Sequence, residues 1–246
     1  MDEKRLYQDL SWLFPLWGDP DGDYAEWCDR VTQLIRQHAR RETHTLLNMG
    51  CGGGKNAYNL KRAFEVTGID ISPAMLDLAR TLNPECAFLL ADMRDCDLGR
   101  SFDAILIDDS VSYMINRAEL RAVFAIAYRH LHSGGVMVVS PDETTETFQQ
   151  NRTRVSYAKA KTKPTNLDVV FIENYYDPDP TDDIYDGLIL YLIREDGKLR
   201  IEPDHHSLGI FPLDVWRVTL REIGSEVHED LDQDREDGMT FVCVKS

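Results

Sequence analysis

The chain has 246 residues, of which 43 are acidic and 27 basic, for a formal net charge of −16, and 43% are hydrophobic. This length suits one large α/β domain, or one with an elaboration, and the apolar fraction is ordinary for a globular fold. The acid excess repels phosphate backbones and anionic lipid, and no stretch approaches the roughly 20 apolar residues of a spanning helix, so neither nucleic acid nor membrane is an expected partner.

Trp12 to Trp17 is a short apolar run ending in Gly18-Asp19-Pro20-Asp21, without the basic start and long core of a signal peptide. The five cysteines (28, 51, 86, 96 and 243) are odd in number and include no C-x-x-C pair. They predict a reducing, cytoplasmic setting with no disulfide framework and no metal site. Residues 1–22 read as an N-terminal arm. Tyr24, Trp27, Val31, Leu34 and Ile35 then form a helical stripe over 23–40.

Thr45 to Met49 is a short apolar strand breaking into glycines, followed by a helix over 56–64 and a strand over 66–71. Ser72 and Pro73 supply an N-cap and a first helical residue for a helix to about Leu82. Ala87 to Leu90 and Phe102 to Ile107 read as strands, the second nearly all apolar, as parallel strands buried on both faces are. Leu120, Val123, Phe124, Ala127 and Leu131 mark a helix with a predicted stop at Ser133-Gly134-Gly135, before a fifth strand over 136–140. The core, residues 23–150, is therefore expected to be a Rossmann-like, doubly wound α/β sheet.

After residue 150 the rhythm changes. Val169 to Tyr176, Leu188 to Arg194 and Leu199 to Glu202 predict an antiparallel β elaboration within 151–211, turning at Glu195-Asp196-Gly197-Lys198. Residues 212–246 supply a last helix, with Gly224 as its stop, and two strands near Val227 and at Thr240 to Val244. The total is a seven-stranded sheet with an antiparallel elaboration after the fifth strand.

The glycine-rich turn Gly50-Cys51-Gly52-Gly53-Gly54 joins a strand to a helix, where glycine allows positive φ or close ligand approach. A dinucleotide fingerprint would need a third glycine at position 55, which is Lys55. Asp70 ends a strand 20 residues after Gly50, and Asp92 follows the next strand, so both are candidates to face the crevice at the carboxyl ends of the sheet.

Leu47-Asn48-Met49-Gly50-Cys51-Gly52-Gly53-Gly54 resembles the first motif of class I S-adenosylmethionine (SAM)-dependent methyltransferases. The likeness continues through Gly68-Ile69-Asp70-Ile71-Ser72-Pro73-Ala74-Met75, Ala91-Asp92-Met93, Phe102-Asp103-Ala104-Ile105 and Leu131-His132-Ser133-Gly134-Gly135. The resemblance implies SAM as cofactor, bound by Asn48, Gly50, Cys51, Gly52, Gly54, Asp70, Ile71, Met75, Asp92, Met93 and Asp108. It implies that Asp70 holds the ribose hydroxyls and that Asp92, with the Met93 amide, addresses the adenine. Asn48 departs from the acid common at that position. A narrower likeness, through Tyr7…Tyr24, Ala91 to Leu98 and Gly134 to Val139, is to the branch containing amino-sugar N,N-dimethyltransferases.

For the methyl acceptor the expected side is the elaboration. Candidate catalytic residues are Asp109 and Tyr113, after the fourth strand, and His206, which can take a proton near neutral pH. Each also has a plainer reading: Asp109 as a turn cap, and His205-His206 as one exposed and one buried structural imidazole. Tyr7 and Trp17 are candidates for a lid that excludes water during transfer, or for packing against the sheet's flank. The acids between 177 and 183 read as a solvated turn. The expected activity is methyl transfer to a small molecule, with a nitrogen acceptor favoured over oxygen and a homodimer as a candidate assembly. The alternatives are a nucleotide-dependent oxidoreductase on a related sheet and a non-catalytic SAM-binding protein.

Overall fold

The structure, a computed structural model, describes residues 4–162, 165–231 and 239–246. Five strands, β1 (Thr45–Met49), β2 (Glu65–Asp70), β3 (Ala87–Leu90), β4 (Phe102–Ile107) and β5 (Leu131–Val139), are interleaved with four helices. These are α1 (Asp23–His38), α2 (Lys55–Leu60), α3 (Pro73–Leu82) and α4 (Arg117–Arg129). Four long strands follow, β6 (Arg152–Thr162), β7 (Thr165–Tyr176), β8 (Ile184–Glu195) and β9 (Lys198–Gly209). The chain then returns through α5 (Leu213–Glu222), β10 (Ser225–Leu231) and β11 (Met239–Lys245).

The main sheet has the order β10-β11-β5-β4-β1-β2-β3. Its first five strands pair in parallel, and β11 adds to β5 antiparallel. Successive strand residues point to opposite faces, and both faces are covered, which explains why all six residues of β4 are buried. Leu47, Ile105 and Phe241 pack under α4 and α5 with Phe124 and Trp216. Leu46, Leu106 and Val242 pack on the other face under α1 with Val31 and Ile35. Parallel strands end together, so β1, β2 and β4 deliver Asn48, Asp70 and Asp108 to one edge.

β6 to β9 form a separate antiparallel sheet in sequence order. Its inner face, with Phe171, Ile189, Tyr191 and Ile193, buries Leu6, Leu10 and Leu13 of the N-terminal arm. The arm is two short 3-10 turns, Arg5–Tyr7 and Ser11–Leu16, held between this sheet and the glycine turn. Among the described residues no helix is long and apolar enough to cross a membrane.

Three sequence expectations are corrected. First, α4 ends at Arg129, and β5 starts at Leu131, ahead of the expected glycine stop. Phe102 pairs with Leu131 but Ala104 with Val136, so residues 132–135 form an irregularity inside β5, where Gly134 has φ +77°. A side chain on Gly135 would lie 2.7 Å from the Asp103 carbonyl, so these glycines serve strand pairing rather than a helix cap. Second, β6 was not expected, because Arg152–Thr162 mixes basic and small residues, with Val155 and Tyr157 its only large apolar side chains. Third, β9 runs on to Gly209 through polar residues, since Asp204 and His206 are buried on its inner face.

Asp103 shows how the core is tied. Its Oδ2 accepts the His44 and Thr45 N–H groups and the Thr45 hydroxyl, while Arg41 pairs with Oδ1 at 2.8 Å. Burial pushes its carboxyl up, but these donors outweigh it and hold the value below the ordinary one. Such a depressed carboxyl stabilises the fold above its unfolded value, about 4, and the contribution disappears as pH falls through the lower folded value. Asp103→Ala is expected to cost about 2–3 kcal/mol at pH 7 by stranding these donors. That is a fall of several degrees in Tm, and denaturation midpoints should converge with those of the parent below the carboxylate range.

Candidate active site

The glycine bend is fixed from below by one carboxylate. Gly52 N–H donates to Asp70 Oδ2 at 2.8 Å and Ser72 N–H donates to Oδ1 at 2.8 Å. Each oxygen keeps a further lone-pair direction toward the crevice. Burial pushes the Asp70 carboxyl up, and the backbone donors partly oppose the rise. Beside it, Ile71 is 66% exposed at the end of β2, an apolar side chain that the chain itself leaves uncovered. Asn48 is 1% exposed, and neither its amide oxygen nor its nitrogen has a hydrogen-bond partner. Leaving such groups unpaired costs about 1–3 kcal/mol each, which a ligand that pairs them would recover.

Two of the glycines answer to the chain itself. A Cβ on Gly50 would lie 2.3 Å from the Ser110 side chain, and one on Gly53 2.6 Å from the Phe14 ring. The arm therefore sits directly over the bend. Lys55, which replaces the glycine of a dinucleotide fingerprint, is the anchor. Only 3% exposed, it donates to the carbonyls of Phe14 (2.9 Å), Gly18 (3.0 Å) and Trp17. Burial lowers its amine to about 8. Tyr7 is fastened next to Asp70, because Ser72 Oγ, the N-cap of α3, donates to the Tyr7 carbonyl at 2.5 Å.

Tyr7 begins a chain of polar groups. Its hydroxyl lies 2.8 Å from the Tyr113 hydroxyl, which lies 2.8 Å from His206 Nδ1. His206 Nε2 is 3.1 Å from Asp204 Oδ2, within ion-pair range but off the line of a good hydrogen bond. Asp204, 1% exposed, also accepts the backbone N–H groups of Arg5 and Leu6 and the Tyr191 hydroxyl. Burial raises the Asp204 carboxyl, yet His206 and the two N–H groups bring it below its ordinary value, so it is ionised at neutral pH. An ionised Asp204 favours the imidazole tautomer with its proton on Nε2. Nδ1 then accepts from Tyr113, Tyr113 accepts from Tyr7, and the Tyr7 oxygen keeps its lone pairs for the crevice.

Burial raises both phenols, and the charges of Asp142, Asp70 and Asp109 raise Tyr7 further. Tyr24 is raised by burial and then by Asp109 and Asp108. These acids therefore surround one cleft lined by Tyr7, Tyr24 and Tyr113. Asp109 is exposed at its mouth, opening the 3-10 turn Asp109–Tyr113.

The remaining sequence candidates are placed as follows. Asp108 is buried, and its Oδ2 accepts from Trp27 Nε1 and Asn56 Nδ2, tying α1 and α2 to the end of β4. The Asp92 carboxylate is gripped by Arg94, with contacts of 2.6 to 3.1 Å, while Met93 is buried beside it. Cys51 packs into the core against Gly68. The Met75 side chain is fully buried, and its N–H is the group capped by Ser72. Trp17 stacks on Phe171 with centroids 5.2 Å apart and borders a cleft of about 480 Å³ with Arg154, Ser156 and Glu173. The acids from 177 to 183 form a turn, with Asp179 capping Thr181.

The sequence reading missed Asp204, Asp142, Lys55 and the ion pair between Glu143 and Arg152, whose side chains are 2% and 13% exposed. Glu173, which opens an acid-rich stretch to Asp186 that the sequence marks as attractive to a cation, accepts from the Tyr175 hydroxyl at 2.8 Å and is raised by burial. One signal was available: Asp204 and His206 are two apart on a strand, hence on one face.

Residues 46–135 match a family described as a methyltransferase domain. A dTDP-3-amino-3,4,6-trideoxy-α-D-glucopyranose N,N-dimethyltransferase of Streptomyces venezuelae is 33% identical over 164 residues, spanning 61% of this chain and 69% of that protein. Among solved structures, DesVI of Streptomyces venezuelae superposes with a TM-score of 0.83 at 25% identity over the whole of both chains. The sugar N-methyltransferase KedS8 from Streptoalloteichus superposes with a TM-score of 0.79 at 27% identity, covering 100% of this chain and 94% of that one.

Lys55→Ala removes three charge-assisted bonds to the arm, worth about 1.5–3 kcal/mol each at most. Limited proteolysis should cut residues 4–22 markedly faster than in the parent, and Tm should fall by several degrees. Unchanged cleavage would mean that the apolar packing alone holds the arm.

Proposed function

The chain belongs to the class I SAM-dependent methyltransferases, and we propose that it methylates an amine nitrogen on a small, polar, sugar-like acceptor in the cytoplasm. The observation that carries the acceptor assignment is the hydrogen-bonded series Tyr7, Tyr113 and His206, backed by Asp204 in ion-pair range of the imidazole and ending in phenol lone pairs beside the Asp70 crevice. The similarity to amino-sugar N,N-dimethyltransferases supports it. So does the surrounding acid, which attracts an ammonium and repels a polycarboxylate.

SAM is the methyl donor, and the residues suit it. The spare lone pairs of Asp70 would accept its ribose hydroxyls, and Ile71 and Met93 would cover its adenine. Asn48 would pair its amino-acid end with the amide that otherwise has no partner. Asp92 would take the adenine amine alongside its bond to Arg94, which leaves carboxylate lone pairs free. When bound, the cofactor supplies an electrophilic methyl group for direct displacement. What the chain contributes is orientation, exclusion of water and proton removal, and orientation alone can be worth about 7–11 kcal/mol. The arm, held by Lys55 and stacked on Phe171 through Trp17, closes the cleft over the reacting atoms.

Proton removal follows the hydrogen-bond directions. The acceptor ammonium gives a proton to Tyr7 Oη, Tyr7 passes its own to Tyr113 Oη, and Tyr113 passes its own to His206 Nδ1. The imidazolium is then stabilised by Asp204, and the nitrogen lone pair is free to attack. Asp109, at the mouth, would attract the cation rather than move its proton. A small acceptor is preferred to nucleic acid because of the acid excess, and a homodimer is the proposed assembly.

Three measurements test this reading. Isothermal titration should show SAM binding at least about 10-fold weaker in Asp70→Ala, the equivalent of one lost charged hydrogen bond; undiminished affinity would overturn the cofactor site. Screening of amines against hydroxy acids for S-adenosylhomocysteine should find turnover with amines alone. Tyr7→Phe and His206→Gln should each lower kcat about 100-fold at pH 7. The deficit should shrink as pH rises toward the acceptor amine's own value, where the relay is no longer needed. A deficit independent of pH would remove the proton relay.

A further inference from the structure

The inner face of the second sheet carries polar side chains that the proton relay does not use. Strand register places Arg152, Tyr175, Gly187 and His206 in one row across β6 to β9. The next row on that face is Arg154, Glu173, Ile189 and Asp204, and the one after it begins with Ser156 and Phe171. The two relay residues of this sheet therefore share their rows with charged groups on the opposite strands. Gly187 is what connects them. A Cβ there would lie 3.3 Å from the Tyr175 ring, so that ring reaches across β8 into the row of His206. The Tyr175 hydroxyl in turn donates to Glu173 Oε2 at 2.8 Å.

Glu173 opens onto the cleft of about 480 Å³ between the arm and β6, whose wall includes Trp17, Asp23, Arg154, Ser156 and Phe171. That volume is within the range of small-molecule sites, about 300–1,000 Å³. Trp17 and Phe171, stacked at 5.2 Å, give it an aromatic side. Ser156 Oγ is buried with no hydrogen-bond partner among the described residues, a deficit that a bound hydroxyl or ammonium would make good. The wall sets the carboxylates of Asp23 and Glu173 against the guanidinium of Arg154, while neighbouring Arg152 is ion-paired with Glu143. Burial raises the Glu173 carboxyl, and Tyr175, Arg154, Arg152 and His206 together do not bring it back. A carboxyl in that state is completed by a cation from outside.

We propose that the methyl acceptor carries a second ammonium group, and that Glu173 is the residue that selects it, with Ser156 and Arg154 holding hydroxyl groups beside it. The proposal rests on the reading of the relay as the site of amine methylation. Glu173 and His206 stand two strands and one row apart, roughly 12 Å between Cα atoms, a span that one or two sugar-sized rings cover. The acceptor is therefore a compact polyamino polyol, with its C–H faces against Trp17 and Phe171. A phosphate at this end is disfavoured, because two carboxylates outweigh the one guanidinium on the wall. Anchoring the distal amine fixes the reacting one before Tyr7, so Glu173 contributes through binding and orientation rather than proton transfer.

Three probes test this: 2-deoxystreptamine, a hydroxylated ring with two amines, D-glucosamine, with one, and D-glucosamine 6-phosphate. The parent should show a KM for 2-deoxystreptamine at least about 10-fold below that for D-glucosamine, with the phosphate ester poorest of all. Glu173→Gln should raise the 2-deoxystreptamine KM about 10-fold, to the D-glucosamine level, while kcat moves by less than about 3-fold. Glu173→Asp should restore part of the preference. Isothermal titration of 2-deoxystreptamine at about pH 5.5, in two buffers of different ionisation enthalpy, needs no turnover. Because a bound cation lowers the raised Glu173 carboxyl, the parent should release protons on binding and Glu173→Gln should not. If Glu173→Gln does not fold, Ser156→Ala should weaken 2-deoxystreptamine about 5-fold, the loss of one neutral hydrogen bond. Glu173-dependent binding without methylation of any amine would overturn the amine methyltransferase reading and leave this seat standing. Equal KM values for the two amines in the parent, a variant that shifts both equally, or tighter binding of the phosphate ester would each overturn the proposal.

Discussion

One buried carboxylate joins the arm to the second sheet and, through His206 and Tyr113, bears on the core. Asp204 lies on β9 of the second sheet, receives the backbone N–H groups of Arg5 and Leu6 from the arm, and faces His206. Removing any of these partners would leave charge or donors stranded in a site 1% exposed, which is far costlier than the net value of the bonds themselves. The arm therefore holds one position, and Tyr7 is directed at the crevice rather than at solvent. A second carboxylate, Asp70, plays the matching part on the cofactor side by holding the glycine bend and the start of α3.

The electrostatics of the cleft follow from where strands end. A parallel sheet brings its carboxyl ends to one edge, so Asp70, Asp108 and Asp109 converge there, and Asp142 follows β5 at the same edge. Several like charges in one cleft favour a cationic visitor, and they add to burial, the larger cause, in keeping the Tyr7, Tyr24 and Tyr113 hydroxyls protonated. A neutral phenol can both donate and accept, which a relay requires.

How legible the fold was in the sequence depended on how much of each signal was local. β1, β3 and β4 begin and end where their apolar runs do, and Ser72-Pro73 opens α3 with the expected cap. Asp196 and Gly197, with φ of +48° and +82°, make the predicted hairpin turn. By contrast β6 carries arginines and small residues on its inner side, because what it covers is the acid-rich cleft rather than a hydrophobic core. The start of β5 was hidden for a similar reason: its glycines fit a helix stop and an irregular strand equally well, and only pairing with β4 separates the two.

The site divides in the same way. Its cofactor half lies within one stretch of strand, bend and strand, so sequence alone determined the glycine bend, Asp70 and the methyltransferase family that they mark. His206 and Tyr113 could be named as candidates, but nothing in their spacing joined them to each other or to Tyr7. Only the tertiary structure decided that Tyr7, Tyr113 and His206, drawn from the arm, the core and the second sheet, touch in one line ending at Asp204. The physical reason is that hydrogen bonds between residues about 100 positions apart leave no periodicity in the chain, whereas backbone turns and buried strands write theirs locally.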